Sequence, residues 1–328
     1  MKKLFMTFIF AIVATLAAMA QQISVVTTTG ATTLYRTLQD AIEGADPGSV
    51  IYLPGGGFPI SNDVKINKKL TIIGIGHKSN NDNVDGFTTI GGNLWFNEGS
   101  SGSAVIGCFI TGNIYIGHDD TAVNDVLIRY CNLNCVDIKH SACMETIVNQ
   151  NYIRETCSFG NSNARITNNV LKGFFRIDGG EIKYNNLTAP TWSDAYTGSF
   201  NYVYNTVVTN NLLLCVWVDN FASDFRGGGN VFTNNFGTTY GEDNIEIDGL
   251  SSLEELYEKW NGGQITPSSN FHFKEEYKQY ENQFGIYAGD GFNDNQLAPV
   301  PYIVGKRVDT ETDSSGKLNV KIRVKAGQ

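Results

Sequence analysis

Seven stretches of the chain share one frame: an apolar residue, an asparagine or cysteine three positions later, and a second apolar residue two after that. They are Val105-Cys108-Ile110, Ile128-Cys131-Leu133, Val148-Asn151-Ile153, Ile166-Asn169-Leu171, Ile182-Asn185-Leu187, Val208-Asn211-Leu213 and Val231-Asn234-Phe236. Ile90-Asn93-Trp95 is a looser, earlier copy. The central positions lie 23, 20, 18, 16, 26 and 23 residues apart. That interval is too long for hairpins and holds no helix-length amphipathic pattern. It suits a coil of short parallel strands in which each circuit stacks on the last. Neighbouring circuits would lie ~4.8 Å apart, close enough for identical asparagines to bond amide to amide along the stack. Asparagine also accepts the left-handed backbone of a tight bend, and the flanking Ile, Val and Leu would point inward.

Composition agrees with many short strands and tight turns: 35 glycines, 7 prolines and only 17% charged residues in 328. The first twenty residues stand apart. Lys2 and Lys3 precede an apolar run that ends in Ala18-Met19-Ala20, the pattern of a secretory signal peptide. The expected organisation is therefore a signal peptide at 1–20, a coil with an N-terminal cap at 21–250, and a closing segment and cap at 251–328 packed on the same domain. No later apolar run is long enough to enter a membrane after signal cleavage. Removing the signal moves the formal net charge from −9 to about −11. Nucleic acid needs a basic footprint, so this balance argues against it. It also disfavours an acidic polysaccharide unless a bound calcium ion reverses the local sign.

Six cysteines in an exported chain admit a disulfide. However, Cys108 and Cys131 fall on the frame, where a small apolar side chain suffices. Cys131, Cys135, His140 and Cys143 have a superficial likeness to a zinc knuckle, but strand alternation would scatter them.

Several segments carry a resemblance to a known family. The frame, "LYRTLQDAIEGADPGSVIYLPGG" followed by "DVKINKKLTIIGIG", and the later "NFHFKEEYKQYENQFGIYAGDG" resemble right-handed parallel β-helix proteins of the pectate-lyase-like superfamily, the last segment its secreted bacterial members. The resemblance spans about residues 32–305. It implies an all-β solenoid, located in the periplasm, on the cell surface or outside a bacterium. It also implies a short helix over the open end of the coil. Leu34, Leu38, Ala41, Ile42 and Ala45 fit one face of that helix, with Thr37 as its cap and Pro47-Gly48 as its stop. Ser252 to Glu255 forms a capping-box pattern ahead of "LYEKW", read as a second short helix. In "KLNVKIRVK", Leu318, Val320, Ile322 and Val324 alternate with polar residues as a half-buried strand would, which suits a C-terminal cap.

In this family substrates lie along the outer face of one strand stack. Alternation in "NCVDIKH", "GFFRIDG", "CVWVDN" and "NIYIG" puts Tyr115, Asp137, Lys139, Phe174, Arg176, Asp178, Trp217 and Asp219 outside. The insertion "APTWSDAYTG" adds Trp192 beside them. Aromatic faces suit sugar rings, and charged groups reach hydroxyls or uronates. Tyr115, Asp137, Phe174, Trp192 and Trp217 are the candidate substrate-binding residues. The leading functional expectation is a protein that binds a polysaccharide or other extracellular glycan without complete pectate-lyase machinery.

The alternative is a calcium-dependent polysaccharide lyase on a uronate-containing glycan, with Arg176 or Lys139 as base and Asp178 and Asp219 holding calcium. A third reading is a structural or adhesion protein of the cell surface. "VWVDN" at 216–220 is similar to a pectate-lyase signature, but Asn220 stands where that signature has histidine, and the family's arginine-proline-arginine motif is missing. Asp119-Asp120 resembles the paired acids of polygalacturonases, whose other motifs are absent, so a turn is the better reading and a hydrolase ranks below a lyase.

Overall fold

A computed structural model describes residues 22–60, 64–78, 86–160, 162–188, 203–214, 229–238, 241–260, 269–295, 297–298, 301–312 and 315–325. The fold is all-β, built on long parallel sheets in a solenoid-like stack. In the first stack, Val50–Tyr52, Thr71–Ile73, Ala104–Ile106, Leu127–Arg129, Ile147–Asn149, Ala164–Thr167, Gly180–Lys183, Val207–Thr209 and Val231–Thr233 pair in parallel, each with the next. Its inward column is a row of branched residues, Ile72, Val105, Ile128, Val148, Ile166, Ile182 and Val208, all fully buried. β-Branched side chains pack well on a pleated surface, which is why so short a strand suffices at each level.

After each of these strands the chain bends, and the asparagines bind the levels together. The Asn151 side-chain amide donates to Asn169 Oδ1 at 3.0 Å. The same step repeats from Asn169 to Asn185, Asn185 to Asn211 and Asn211 to Asn235. Each acceptor oxygen also takes the backbone N–H of the residue one level below. Every group of these buried amides is thereby used, which is what burial of a polar side chain requires. The ladder ends downward at Cys131, whose N–H donates to Asn151 Oδ1 and whose thiol donates to backbone carbonyls.

Two copies of the frame are corrected by the register. Val207 pairs with Val231 and Val208 with Phe232, so the last circuit is Phe232 and Asn235, not Val231 and Asn234. Val231 is 52% exposed while Phe232 is buried; a one-residue slip exchanges the two faces of a strand. Ile90-Asn93-Trp95 is not a copy of the frame. Ile90 pairs with Ile110 and Trp95 with Tyr115, which puts Trp95 on the outward side. The left-handed position is also not the ladder residue but the one before it: Tyr130, Gln150, Asn168, Tyr184, Asn210 and Asn234 all have φ between 52° and 58°.

The second and third stacks merge into one twelve-stranded sheet because Tyr152–Gly160 and Val170–Asp178 run through both. At the N-terminal end, Ile23–Val26 adds antiparallel to Val50–Tyr52, and Thr32–Tyr35 adds antiparallel to Ile23–Val26. The helix Leu38–Gly44 packs on these two strands, with Thr37 accepting from the Asp40 amide at 3.1 Å. Leu34 lies in the strand and is 54% exposed, so it is not part of that helix.

Towards the C-terminus, Ser252 and Glu255 form the reciprocal capping box of the helix Leu253–Leu256. Tyr257–Lys259 of "LYEKW" is a strand, paired with Asn270–Phe273. Leu253, Leu256, Phe271, Phe273 and Phe284 share a core with Tyr152, Val170, Leu212 and Phe236 of the second stack. The closing segment thus covers that stack's outer side. Strand Leu318–Lys325 forms, as a hairpin with Tyr302–Thr312. Its apolar side is not half-buried: Val320, Ile322 and Val324 are 49%, 58% and 56% exposed. Hydrophobic alternation specifies a strand but not what covers it.

Candidate functional site

The third stack carries the column of interest. Val64–Ile66, Leu94–Phe96, Ile114–Ile116 and Val136–Ile138 are three-residue strands in parallel register. Their first and last residues are aliphatic or phenylalanine and point into the core, from 0% to 2% exposed. The middle residue of each must then face outward. Those middle residues are Lys65, Trp95, Tyr115 and Asp137, and the register continues through Ser158 to Arg176.

The rings form a cluster. Trp95 and Tyr115 have centroids 4.2 Å apart, tilted by 34°. His118 meets both edge-on, at 5.4 Å from Trp95 and 4.8 Å from Tyr115. It reaches them because Gly117, at φ 66°, turns the chain directly after the strand; a Cβ there would press on Cys143 Sγ at 2.7 Å. The Tyr115 hydroxyl accepts from the Asn113 side-chain amide at 2.7 Å. His118 Nε2 lies 3.2 Å from Asp137 Oδ2, within ion-pair reach but out of line for a hydrogen bond. Trp95 Nε1 is buried without a hydrogen-bond partner among the described residues. Opposite charges, Lys65 and Asp137, flank the ring pair at successive levels.

The structure brings Tyr115, Asp137 and Arg176 into this one column. Arg176 is exposed, and Lys139 follows directly after the Asp137 strand, also exposed. Phe174 does not share the column. It pairs with the buried Cys157, while Arg176 pairs with Ser158, because a bulge between them shifts the register by one residue. Asp178 ends the same strand opposite Tyr204, and its Oδ1 accepts from Asn205 at 2.8 Å. One oxygen of this candidate calcium ligand is therefore engaged by a neutral donor. Trp192, Trp217 and Asp219 lie outside the described residues, as do residues 1–20, expected from the sequence to be a signal peptide. No group of three or more His, Cys, Asp or Glu that could hold a metal occurs among the described residues.

Trp95, Lys65 and His118 escaped the sequence reading. The signal was present: "VKI", "LWF" and "IYI" share the aliphatic-x-aliphatic pattern, and Trp95 was lost by treating its circuit as a copy of the asparagine frame. Asp119-Asp120 does form a turn. Asp120 has φ 68°, and Asp119 accepts from the Glu98 amide and the Thr121 hydroxyl.

The five described cysteines are free. Burial pushes the Cys131 thiol up to about 12 and, helped by nearby Asp137 and Glu155, that of Cys135 up to about 11. Such thiols stay protonated and act as small apolar side chains. No described helix is long and apolar enough to cross a membrane. Comparison with protein-family models, with curated proteins and with solved structures finds no match.

Proposed function

We propose that the chain is a right-handed parallel β-helix of the pectate-lyase-like superfamily, exported by its first twenty residues, that binds a polysaccharide or other extracellular glycan along its third strand stack. In this reading the helix Leu38–Gly44 closes the first circuit, and the segment 251–328 is a closing segment and cap packed on the same domain. The observation that carries the proposal is the outward Trp95–Tyr115 ring pair flanked by Lys65 and Asp137. Two rings at successive levels, held by the strands beneath them, offer an apolar outer edge to sugar rings at small entropic cost. The flanking charges supply hydrogen-bonding groups for hydroxyls.

The exposed Arg176 in the same column favours a second reading, a polysaccharide lyase on a uronate-containing glycan. Calcium bound by Asp178 and Asp219 would neutralise the uronate there, and Arg176 or Lys139 would take the proton. One experiment separates the two. The full chain is screened on a glycan array, and hits are incubated with calcium. Binding without new unsaturated uronate ends supports the binder, such ends establish the lyase, and an absence of hits removes both.

A further inference from the structure

A cleft of about 390 Å³, whose lining includes none of the residues of the aromatic column, opens between Arg129, Tyr130 and Gln150 on one side and residues 290–293, Asn295 and Leu297 on the other. Its volume lies within the ~300–1,000 Å³ typical of small-molecule sites. Arg129 reaches it from the last position of the strand Leu127–Arg129, lying 4.6 Å over the Tyr130 ring. The Arg129 Nε is buried and has no hydrogen-bond partner among the described residues. A buried guanidinium N–H left unpaired is costly, and a carboxylate matches its fork with two parallel bonds.

The rest of the wall narrows the ligand class. Lys325 adds a second positive charge and Asp290 one negative, so the cleft carries one net positive charge and suits a monoanion. Gln150, buried with its Oε1 accepting from the Asn293 amide, and the exposed Asn295 supply side-chain amides for hydroxyl groups. We propose that this cleft is a second binding site, separate from the glycan column, for a small hydroxylated carboxylate held by Arg129.

The test is calorimetric titration of the full chain with gluconate, with sorbitol as the same carbon chain lacking the carboxylate, and with inorganic phosphate. Gluconate binds, whereas sorbitol and phosphate bind at least about tenfold more weakly. Arg129→Gln loses about tenfold or more, and Asp290→Asn, which removes the repelling charge, gains about threefold. Trp95→Ala leaves gluconate binding unchanged. Failure of gluconate to bind, equal binding of phosphate or sorbitol, or undiminished binding by a folded Arg129→Gln overturns the proposal. If Arg129→Gln does not fold, the Asp290→Asn titration decides, and an unchanged affinity there overturns it.

Discussion

Trp95 and Tyr115 are register partners on adjacent parallel strands, with ring centroids 4.2 Å apart. Strand spacing is ~4.8 Å, so the rings are held nearly at the spacing of their own backbones. Aromatic pairs of this kind add about 0.5–1.5 kcal/mol beyond area burial. Tyr115→Ala should therefore lower stability by roughly 1–3 kcal/mol in urea unfolding, through lost ring contacts rather than a core cavity. A loss above about 5 kcal/mol would mean the ring is part of the core, contrary to its half-exposed position.

The asparagine ladder makes a stronger demand. Asn169 donates to Val148 O, Thr167 O and Asn185 Oδ1, and accepts from the N–H and side-chain amide of Asn151. Asn169→Ala leaves several buried groups unpaired, each costing ~1–3 kcal/mol. The expected loss is ~3 kcal/mol or more, read as a lower urea midpoint. Asn163→Ala is the contrast. This residue has an exposed contact to Glu145 and lies off the ladder, although its φ of 48° adds a small strain to the substitution. A loss at Asn169 no larger than at Asn163 would remove the ladder from the account of stability.

Glu281 sets an acid limit. Burial pushes its carboxyl up, but the Phe273 amide, His272 and Lys278 together hold it below its ordinary 4.5. Its oxygens take the Phe273 N–H at 2.6 Å, and His272 Nδ1 and Lys278 Nζ at 3.0 Å. A carboxyl depressed in the folded state contributes stability above its unfolded value and loses it as pH falls through the folded value. Thermal unfolding temperature should thus be insensitive to Glu281 above about pH 5 and fall with acid below 4.5. Glu281→Gln should flatten part of that acid slope. An unchanged slope would show that the Phe273 amide, His272 and Lys278 do not hold the Glu281 carboxyl below its unfolded value.

The thiols give a chemical check on the core. Cys108, Cys131 and Cys157 are fully buried, and burial pushes each thiol upward. Iodoacetamide at pH 8, followed by peptide mass spectrometry, should leave these three unmodified in the native protein and modify them in urea. Rapid native alkylation of Cys131 would contradict its place at the foot of the ladder.

The parts of the fold that were legible in the sequence are those where one residue type repeats for one physical reason. Ile128, Val148, Ile166 and Ile182 were identified as core because only inward apolar residues recur at that interval. The last circuit was misread because "VFTNNF" offers two apolar residues and two adjacent asparagines. Only pairing with Val207–Thr209 shows that Asn235 joins the ladder while Asn234 takes the left-handed bend. Half of the column was legible by alternation: Tyr115, Asp137 and Arg176 were identified and share it. Trp95 was hidden by a false frame, His118 by a turn that only Gly117 reveals, and the misplacement of Phe174 by a bulge. Bulges and turns change register locally, which periodicity averaged over the chain does not record.

The central claim is that the Trp95–Tyr115 column is the glycan-binding face. The most direct measurement is the calorimetric affinity of the full chain for the strongest glycan-array ligand, compared with a folded Trp95→Ala variant. A loss of about tenfold or more, corresponding to ~1.4 kcal/mol or greater, with unfolding temperature nearly retained, is the expected result. Undiminished affinity in Trp95→Ala, or no glycan ligand for the full chain, would contradict it.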